Sequence, residues 1–188
     1  IDENDPTYPL NPYAASKLSA ESYCRAYYEM YCVPMTVVRY SNVYGPYQSP
    51  DNPYCGVVSK FIQRALDGMP LKIHGDGDQT RDFTYVDDAV EATIKACVEP
   101  KAVGEMLNIG TGVEVSVNRL VELIGGATRG REFPLIVEHV NRRDIDNVRR
   151  RVIGIERARR ILRWQPRVSI GDGVSRTVEW VRSQAKQG

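Results

Sequence analysis

Long apolar runs are absent from this 188-residue chain. Each ends within a few residues, so no segment reads as a membrane-crossing helix. A charge excess is absent too: 25 Lys and Arg stand against 24 Asp and Glu, a net charge of +1. No overall field exists to gather nucleic acid or to seek an anionic membrane. Cysteine is scarce, with Cys24, Cys32, Cys55 and Cys97 and no C-x-x-C pair, and only two histidines accompany them. Neither a zinc site nor a disulfide framework is expected; free thiols in a reducing, cytoplasmic setting are the better reading. No signal-peptide pattern is recognised. Ile1, in a polar stretch with proline, reads as the interior of a longer protein. What is present is an ordinary globular composition, 42% hydrophobic and 26% charged, which suits about one domain with a real core.

Pro6, Pro9 and Pro12 make residues 1–12 an expected irregular loop. A helix is predicted over 13–31 from the apolar spacing of Tyr23, Ala26, Tyr27, Met30 and Tyr31, with Pro34 closing the segment. Residues 35–40 read as a buried strand, and 45–53 as a loop. Further helices are predicted over about 57–67, up to Val98, after Ser116 as a cap, and over about 155–163 and 173–183. Asp87 or Asp88 is expected to cap the helix that ends at Val98. Short strands are predicted at 71–74, 83–86, 106–109 and 135–140, with a turn at Gly75-Asp76-Gly77-Asp78. Strands alternating with helices make the class α/β.

Tyr13-Ala14-Ala15-Ser16-Lys17 places a phenol and an ammonium at i and i+4, neighbours on one helix face. A cation there favours a phenolate, which suits a tyrosine working as general acid and base near neutral pH. Taken alone, the pair is also what a solvated helix face carries. Gly125-Gly126-Ala127-Thr128-Arg129-Gly130 lacks the Lys-Ser/Thr ending of a phosphate loop and follows a helix, so it reads as a loop or helix C-cap. Gly110-Thr111-Gly112 reads as a tight turn after a strand. Residues 142–163 hold nine arginines against Asp144, Asp146 and Glu156. With almost no aromatic residue among them, they read as a solvated face with one or two phosphate contacts, not a nucleic-acid patch.

The stretch from Pro9 to Glu21, with Tyr13 and Lys17 inside it, resembles the active-site helix of extended short-chain dehydrogenase/reductases, and within them the nucleotide-sugar epimerases and dehydratases. Four later blocks agree in order and spacing. Arg39-Tyr40-Ser41-Asn42-Val43-Tyr44-Gly45-Pro46 is similar to R-Y-F-N-V-Y-G-P, and residues 75–88 to G-D-G-x-Q-x-R-D-F-x-Y-V-x-D. Asn108-Ile109-Gly110-Thr111-Gly112 followed by Ser116 is similar to N-I-G-x-G-x-x-x-S, and Leu162-Arg163-Trp164-Gln165-Pro166 to L-G-W-x-P. The resemblance implies that Tyr13 is the catalytic acid/base and that Lys17 holds the nicotinamide ribose and tunes Tyr13. It implies that Tyr40 lines the nicotinamide side, Asn42 donates to the diphosphate, and His74 stacks on the base. Arg81 would pair with phosphate, a bidentate task suited to guanidinium. The cofactor implied is NAD, with NADP left open, and the partners are a nucleotide-diphosphate sugar and a second copy through the 13–31 helix. Neither nucleic acid nor a membrane is an expected partner.

Three departures qualify the match. Ser41 stands where the pattern has Phe. Asn141-Arg142-Arg143-Asp144-Ile145-Asp146 replaces a clean R-x-G-D, so Arg143 and Asp146 take the phosphate and ribose roles there. The G-x-x-G-x-x-G loop that sets pyrophosphate at a helix N-terminus is missing, as is an upstream catalytic Ser or Thr. The expected architecture is the C-terminal part of a Rossmann-type doubly wound parallel sheet plus a smaller α/β substrate domain. Residues 1–45 fall to the former and 46–188 mainly to the latter, with about 80–105 returning to the Rossmann part. Strands flanking 35–40 are expected to be missing, leaving sheet edges bare, and these 188 residues alone are expected to be inactive. The function read is a UDP-glucose 4-epimerase-like enzyme with tightly bound NAD. The alternatives are a nucleotide-sugar 4,6-dehydratase and a non-catalytic nucleotide-binding relative.

Overall fold

Asn11 begins the first helix by accepting a hydrogen bond from the Ala14 amide at 2.8 Å, with Pro12 in the first turn, where its missing N–H costs nothing. The computed structural model describes residues 1–50, 56–128, 135–142 and 148–185. In chain order these form α1 (Pro12–Tyr31), β1 (Val37–Tyr40), β2 (Asn42–Tyr44), α2 (Val57–Leu66), β3 (Leu71–His74), β4 (Thr80–Arg81), β5 (Phe83–Tyr85) and α3 (Val86–Val98). After a 3-10 turn at Pro100–Ala102 come β6 (Met106–Ile109), β7 (Val115–Ser116), α4 (Val117–Thr128), β8 (Val137–Val140), β9 (Arg150–Arg151), α5 (Glu156–Leu162) and α6 (Ile170–Ala185).

Three pairs of strands run parallel: β1 with β6, β2 with β5, and β3 with β8. β4 lies between β7, which is antiparallel to it, and β9, which is parallel. Parallel strands joined by helices give an α/β, Rossmann-like architecture. Two apolar clusters hold it. One gathers Ile62, Ile73, Phe83, Leu120 and Val174 from α2, β3, β5, α4 and α6. The other gathers Ala92, Leu107, Ile109, Ala158 and Trp164 from α3, β6, α5 and the segment that follows α5.

Several expectations are corrected. β6 fills one flank of β1, so that edge is not bare. Neither Asp87 nor Asp88 caps α3, whose N-cap is Tyr85 without a side-chain bond. Asp88 is buried and instead accepts from the Arg167 and Val168 amides at 3.1 and 3.0 Å, fastening the entry to α6. Of the loop or helix C-cap expected over 125–130, Gly125 and Gly126 are helical, inside the last turns of α4, which ends at Thr128, and Arg129 and Gly130 lie outside the described residues. The tyrosine stripe of α1, which suits either a core or a dimer surface, lies outside the described core: Tyr23, Met30 and Tyr31 are 68%, 73% and 66% exposed. What tethers α1 to the sheet is a fork of two hydrogen bonds from Arg39 to Glu21, at 2.8 and 2.6 Å. Other expectations hold. Ser116 Oγ accepts from the Arg119 amide at the start of α4, and Gly110-Thr111-Gly112 is a turn with Gly112 at φ +72°. No helix of the described residues is long and apolar enough to cross a membrane.

Candidate functional site

At Ser41 the chain changes partners. The Ser41 amide donates to Ile109 of β6 and the next amide, Asn42, donates to Asp82 beside β5. The polypeptide thus passes from one parallel pair to the other, and Asn42 emerges at the crossing. The Ser41 hydroxyl shares a 2.5 Å hydrogen bond with Thr84, a contact that the phenyl ring of the family pattern cannot make.

The block Arg81-Asp82-Phe83-Thr84 is mostly scaffold. Asp82 is 1% exposed. Its carboxylate accepts from the Thr111 amide at 2.9 Å, the Thr111 hydroxyl at 2.7 Å and the Gly112 amide at 3.0 Å. A Cβ on Gly110 would lie 2.7 Å from Asp82 Oδ2, which accounts for glycine there. Arg81 is also buried, and its Nη1 donates to the Thr80 and Val148 carbonyls at 2.7 and 3.0 Å.

A cleft of about 600 Å³ opens between α2, β3 and β4, lined by Asn42, His74 and Arg81 together with Lys60, Arg142 and Arg149. That volume suits a small-molecule ligand. Three residues assigned to one ligand by resemblance are therefore brought to one cavity. His74 is oriented by a 3.0 Å contact between its Nδ1 and the Asn141 carbonyl. Arg143 and Asp146 lie outside the described residues. Tyr13, Lys17 and Tyr40 are not among the lining residues. Tyr13 is 70% exposed, and the Lys17 ammonium sits 5.4 Å from its ring centroid, as i,i+4 spacing dictates. Tyr40 ends β1, and its hydroxyl is 2.7 Å from Thr93 of α3. Tyr44, by contrast, is a core residue: burial pushes its hydroxyl above the ordinary range, so it stays protonated.

Sequence reasoning missed Lys60, held Arg142 and Arg149 only as members of an arginine run with one or two phosphate contacts, and missed how that run is spent. Arg149 Nη1 donates to both carboxylate oxygens of Asp76, at 3.0 and 2.7 Å, and holds that carboxyl below its usual range. Arg157 reaches Asn4 and lies beside Glu3 and Glu105. Arg150 forks onto Glu114, which also accepts from the Thr80 hydroxyl at 2.7 Å. The signal was available as two acids in the Gly75–Asp78 turn and a glutamate after the Gly112 turn, facing an excess of arginine. Arg150, and after it Thr80, push the Glu114 carboxyl from 4.5 down to about 2. Because the folded value is the lower one, the stabilisation from ionised Glu114 is whole above pH 4.5 and fades as pH falls through about 2. The melting difference between wild type and Glu114→Gln is therefore expected to be constant above that window and to close within it. A difference still undiminished at the acid end would remove the ion pair as its cause.

Residues 1–110 match the family model described as the NAD dependent epimerase/dehydratase family. The chain is 38% identical over 184 residues to a UDP-glucose 4-epimerase of Mycolicibacterium smegmatis, covering 98% of this chain and 57% of that protein. It is 38% identical over 188 residues to a human dTDP-D-glucose 4,6-dehydratase, covering 97% and 51%. Among solved structures, a UDP-glucose 4-epimerase with UDP-glucose from Thermotoga maritima superposes with a TM-score of 0.90 at 36% identity, covering 98% of this chain and 58% of that one. A UDP-glucuronic acid 4-epimerase from Bacillus cereus, in complex with UDP-glucuronic acid and NAD, gives 0.88 at 30%, covering 98% and 56%. The chain spans about half the length of the curated relatives it matches.

Proposed function

The chain belongs to the NAD dependent epimerase/dehydratase family, and from that premise we propose that it is part of a UDP-glucose 4-epimerase-like enzyme. The observation that supports the reading best is the convergence of Asn42, His74 and Arg81 on one cation-rich cleft. In this reading Arg81 neutralises a phosphate, Asn42 donates to the diphosphate and His74 stacks on the base. Arg143 and Asp146 add phosphate and ribose contacts. Residues 1–45 form the end of the NAD-binding part, and residues from 46 on build most of the substrate part. The partner change at Ser41 supports a boundary near residue 45, with about 80–105 returning to the NAD-binding part.

Exposed Tyr13 with Lys17 over its ring fits the nicotinamide ribose end of NAD, and Tyr40 is assigned to the same side. NAD, when bound, supplies a hydride acceptor and donor. Tyr13 takes the proton of the sugar hydroxyl as its carbon is oxidised and returns it afterwards, and Lys17 orients the ribose and favours the ionised phenol. Cofactor affinity in such folds comes mostly from a glycine-rich loop that these residues do not include, so residues 1–188 by themselves are expected to be inactive. The exposed tyrosines of α1 are assigned to a homodimer surface and the protein to the cytoplasm. Identity to the human 4,6-dehydratase equals that to the epimerase, which keeps a 4,6-dehydratase as the second reading; a 4-keto-6-deoxy product would select it.

Calorimetry of the whole protein with UDP, GDP, CDP and dTDP tests the cleft. Arg81→Ala is expected to weaken the preferred diphosphate by about 1.5–3 kcal/mol, the scale of a charge-assisted bond. Arg81→Lys should restore only part of this, since an ammonium lacks the planar fork. Equal affinity in wild type and Arg81→Ala would take Arg81 out of the site.

A further inference from the structure

Arg81 sits on β4, the middle strand of a small three-stranded sheet, and each of its flanks is only a two-residue strand. On one side Arg81 is in register with Val115 of β7, and on the other with Arg151 of β9. The β9 side supplies the Val148 carbonyl that Arg81 Nη1 donates to at 3.0 Å. A two-residue strand held by little backbone pairing is marginal, so something else must hold 148–151 against β4.

Beside the backbone bond from the Thr80 amide to the Arg149 carbonyl, at 2.9 Å, two side-chain pairs do: Arg149 with Asp76 in the turn before β4, and Arg150 with Glu114. Glu114, next to β7, reaches across β4: one carboxylate oxygen accepts from the Thr80 hydroxyl and from Arg150 Nε, and the other accepts from Arg150 Nη2. Glu114 thus touches all three strands or their immediate neighbours, yet it does not line the cleft. A planar carboxylate against a guanidinium fork fixes direction as well as distance.

We infer that Glu114, through Arg150, is a positioning residue for Arg81: the clasp seats the 148–151 segment so that its carbonyl aims the Arg81 guanidinium into the nucleotide cleft. The inference rests on the nucleotide-sugar reading of that cleft. Because the clasp acts on a binding cation and not on the reacting atoms, its loss belongs in substrate affinity and not in the chemical step.

The experiment uses the whole protein with UDP for binding and UDP-glucose for turnover, in Glu114→Gln, Arg150→Gln, the double variant and Arg150→Lys. Each Gln variant is expected to weaken UDP about threefold to tenfold, the usual reach of coupling through a packed network, and to raise KM for UDP-glucose equally. kcat should stay within about twofold of wild type, since only uniform binding is lost. The double variant should be no weaker than the worse single one, because both break the same clasp. Arg150→Lys, which keeps the charge, should recover part of the affinity. A readout without ligand accompanies these: hydrogen exchange at the Thr80 amide should speed up in Glu114→Gln. Unchanged UDP affinity overturns the inference, as does a fall in kcat with KM unmoved. So does additive loss in the double variant. Wild-type protein that ignores UDP would sink the nucleotide-sugar reading instead, and the seating of 148–151 is then decided by the exchange rate, an unchanged rate refuting it.

Discussion

Replacing Tyr13 by Phe in the whole protein is expected to cut kcat for UDP-glucose by about 10²–10⁴-fold, the range of a general acid–base group, with UDP affinity unchanged. The structure makes this a clean substitution. Tyr13 is 70% exposed, so removing its hydroxyl opens no cavity. The ring that Lys17 covers at 5.4 Å survives in Phe, and the helix start is set by Asn11 and Pro12, not by Tyr13. A loss of turnover therefore reports proton transfer and not folding. More than about a third of wild-type kcat in Tyr13→Phe would exclude it from the role, since an acid–base group contributes at least about a hundredfold. Wild type that binds UDP but turns over no nucleotide sugar would point to the non-catalytic relative.

Asp82→Ala is expected to have the largest effect on stability, about 2–4 kcal/mol, because a buried carboxylate disappears while the donors around it remain. The Thr111 and Gly112 amides and the Thr111 hydroxyl all point at it, and the Asp82 carbonyl also takes the Asn42 amide. Asp82→Asn keeps the shape but turns an amide N–H toward one of those donors, so it should fall between. Urea unfolding of the whole protein checks this: the midpoint should drop with the slope unchanged. A midpoint within error of wild type would mean that the turn at Gly110–Gly112 is held by something other than Asp82.

Elements with a strong periodic signal were legible in the sequence. α2 and α4 carry their apolar residues on one face, and both β3 and β6 occupy the predicted residues. The two-residue strands β4, β7 and β9 were not, because pairs that short have no period to read and exist only through tertiary contacts. The missed cap at Asp88 has a related cause. An acid near a helix start suits a cap, but a distant segment with two unsatisfied amides, Arg167 and Val168, claimed that carboxylate. Gly125 and Gly126 show the same override of local preference: Leu135 packs against Gly125, and the helix continues through both.

The candidate site divides in a similar way. Asn42, His74 and Arg81 were named from motif blocks, and the fold brings them to one cavity. Lys60 and Arg149 belong to no such block, and Arg142 lies in the 141–146 stretch that was read only for Arg143 and Asp146; the packing of α2 and the placing of β8 and β9 beside β3 and β4 bring them there. Tyr13 and Lys17 were legible as a pair because helical geometry alone makes i and i+4 neighbours.

The most direct test incubates the whole, NAD-loaded protein with UDP-glucose and follows both the sugar and the oxidation state of the cofactor. The account predicts that the 4-epimer accumulates to equilibrium while the bound cofactor is oxidised at the start and at the end, because the hydride removed from the sugar is returned to it. Steady accumulation of reduced cofactor in step with sugar oxidation would contradict it, as would the absence of any change in UDP-glucose or in other nucleotide sugars tested beside it.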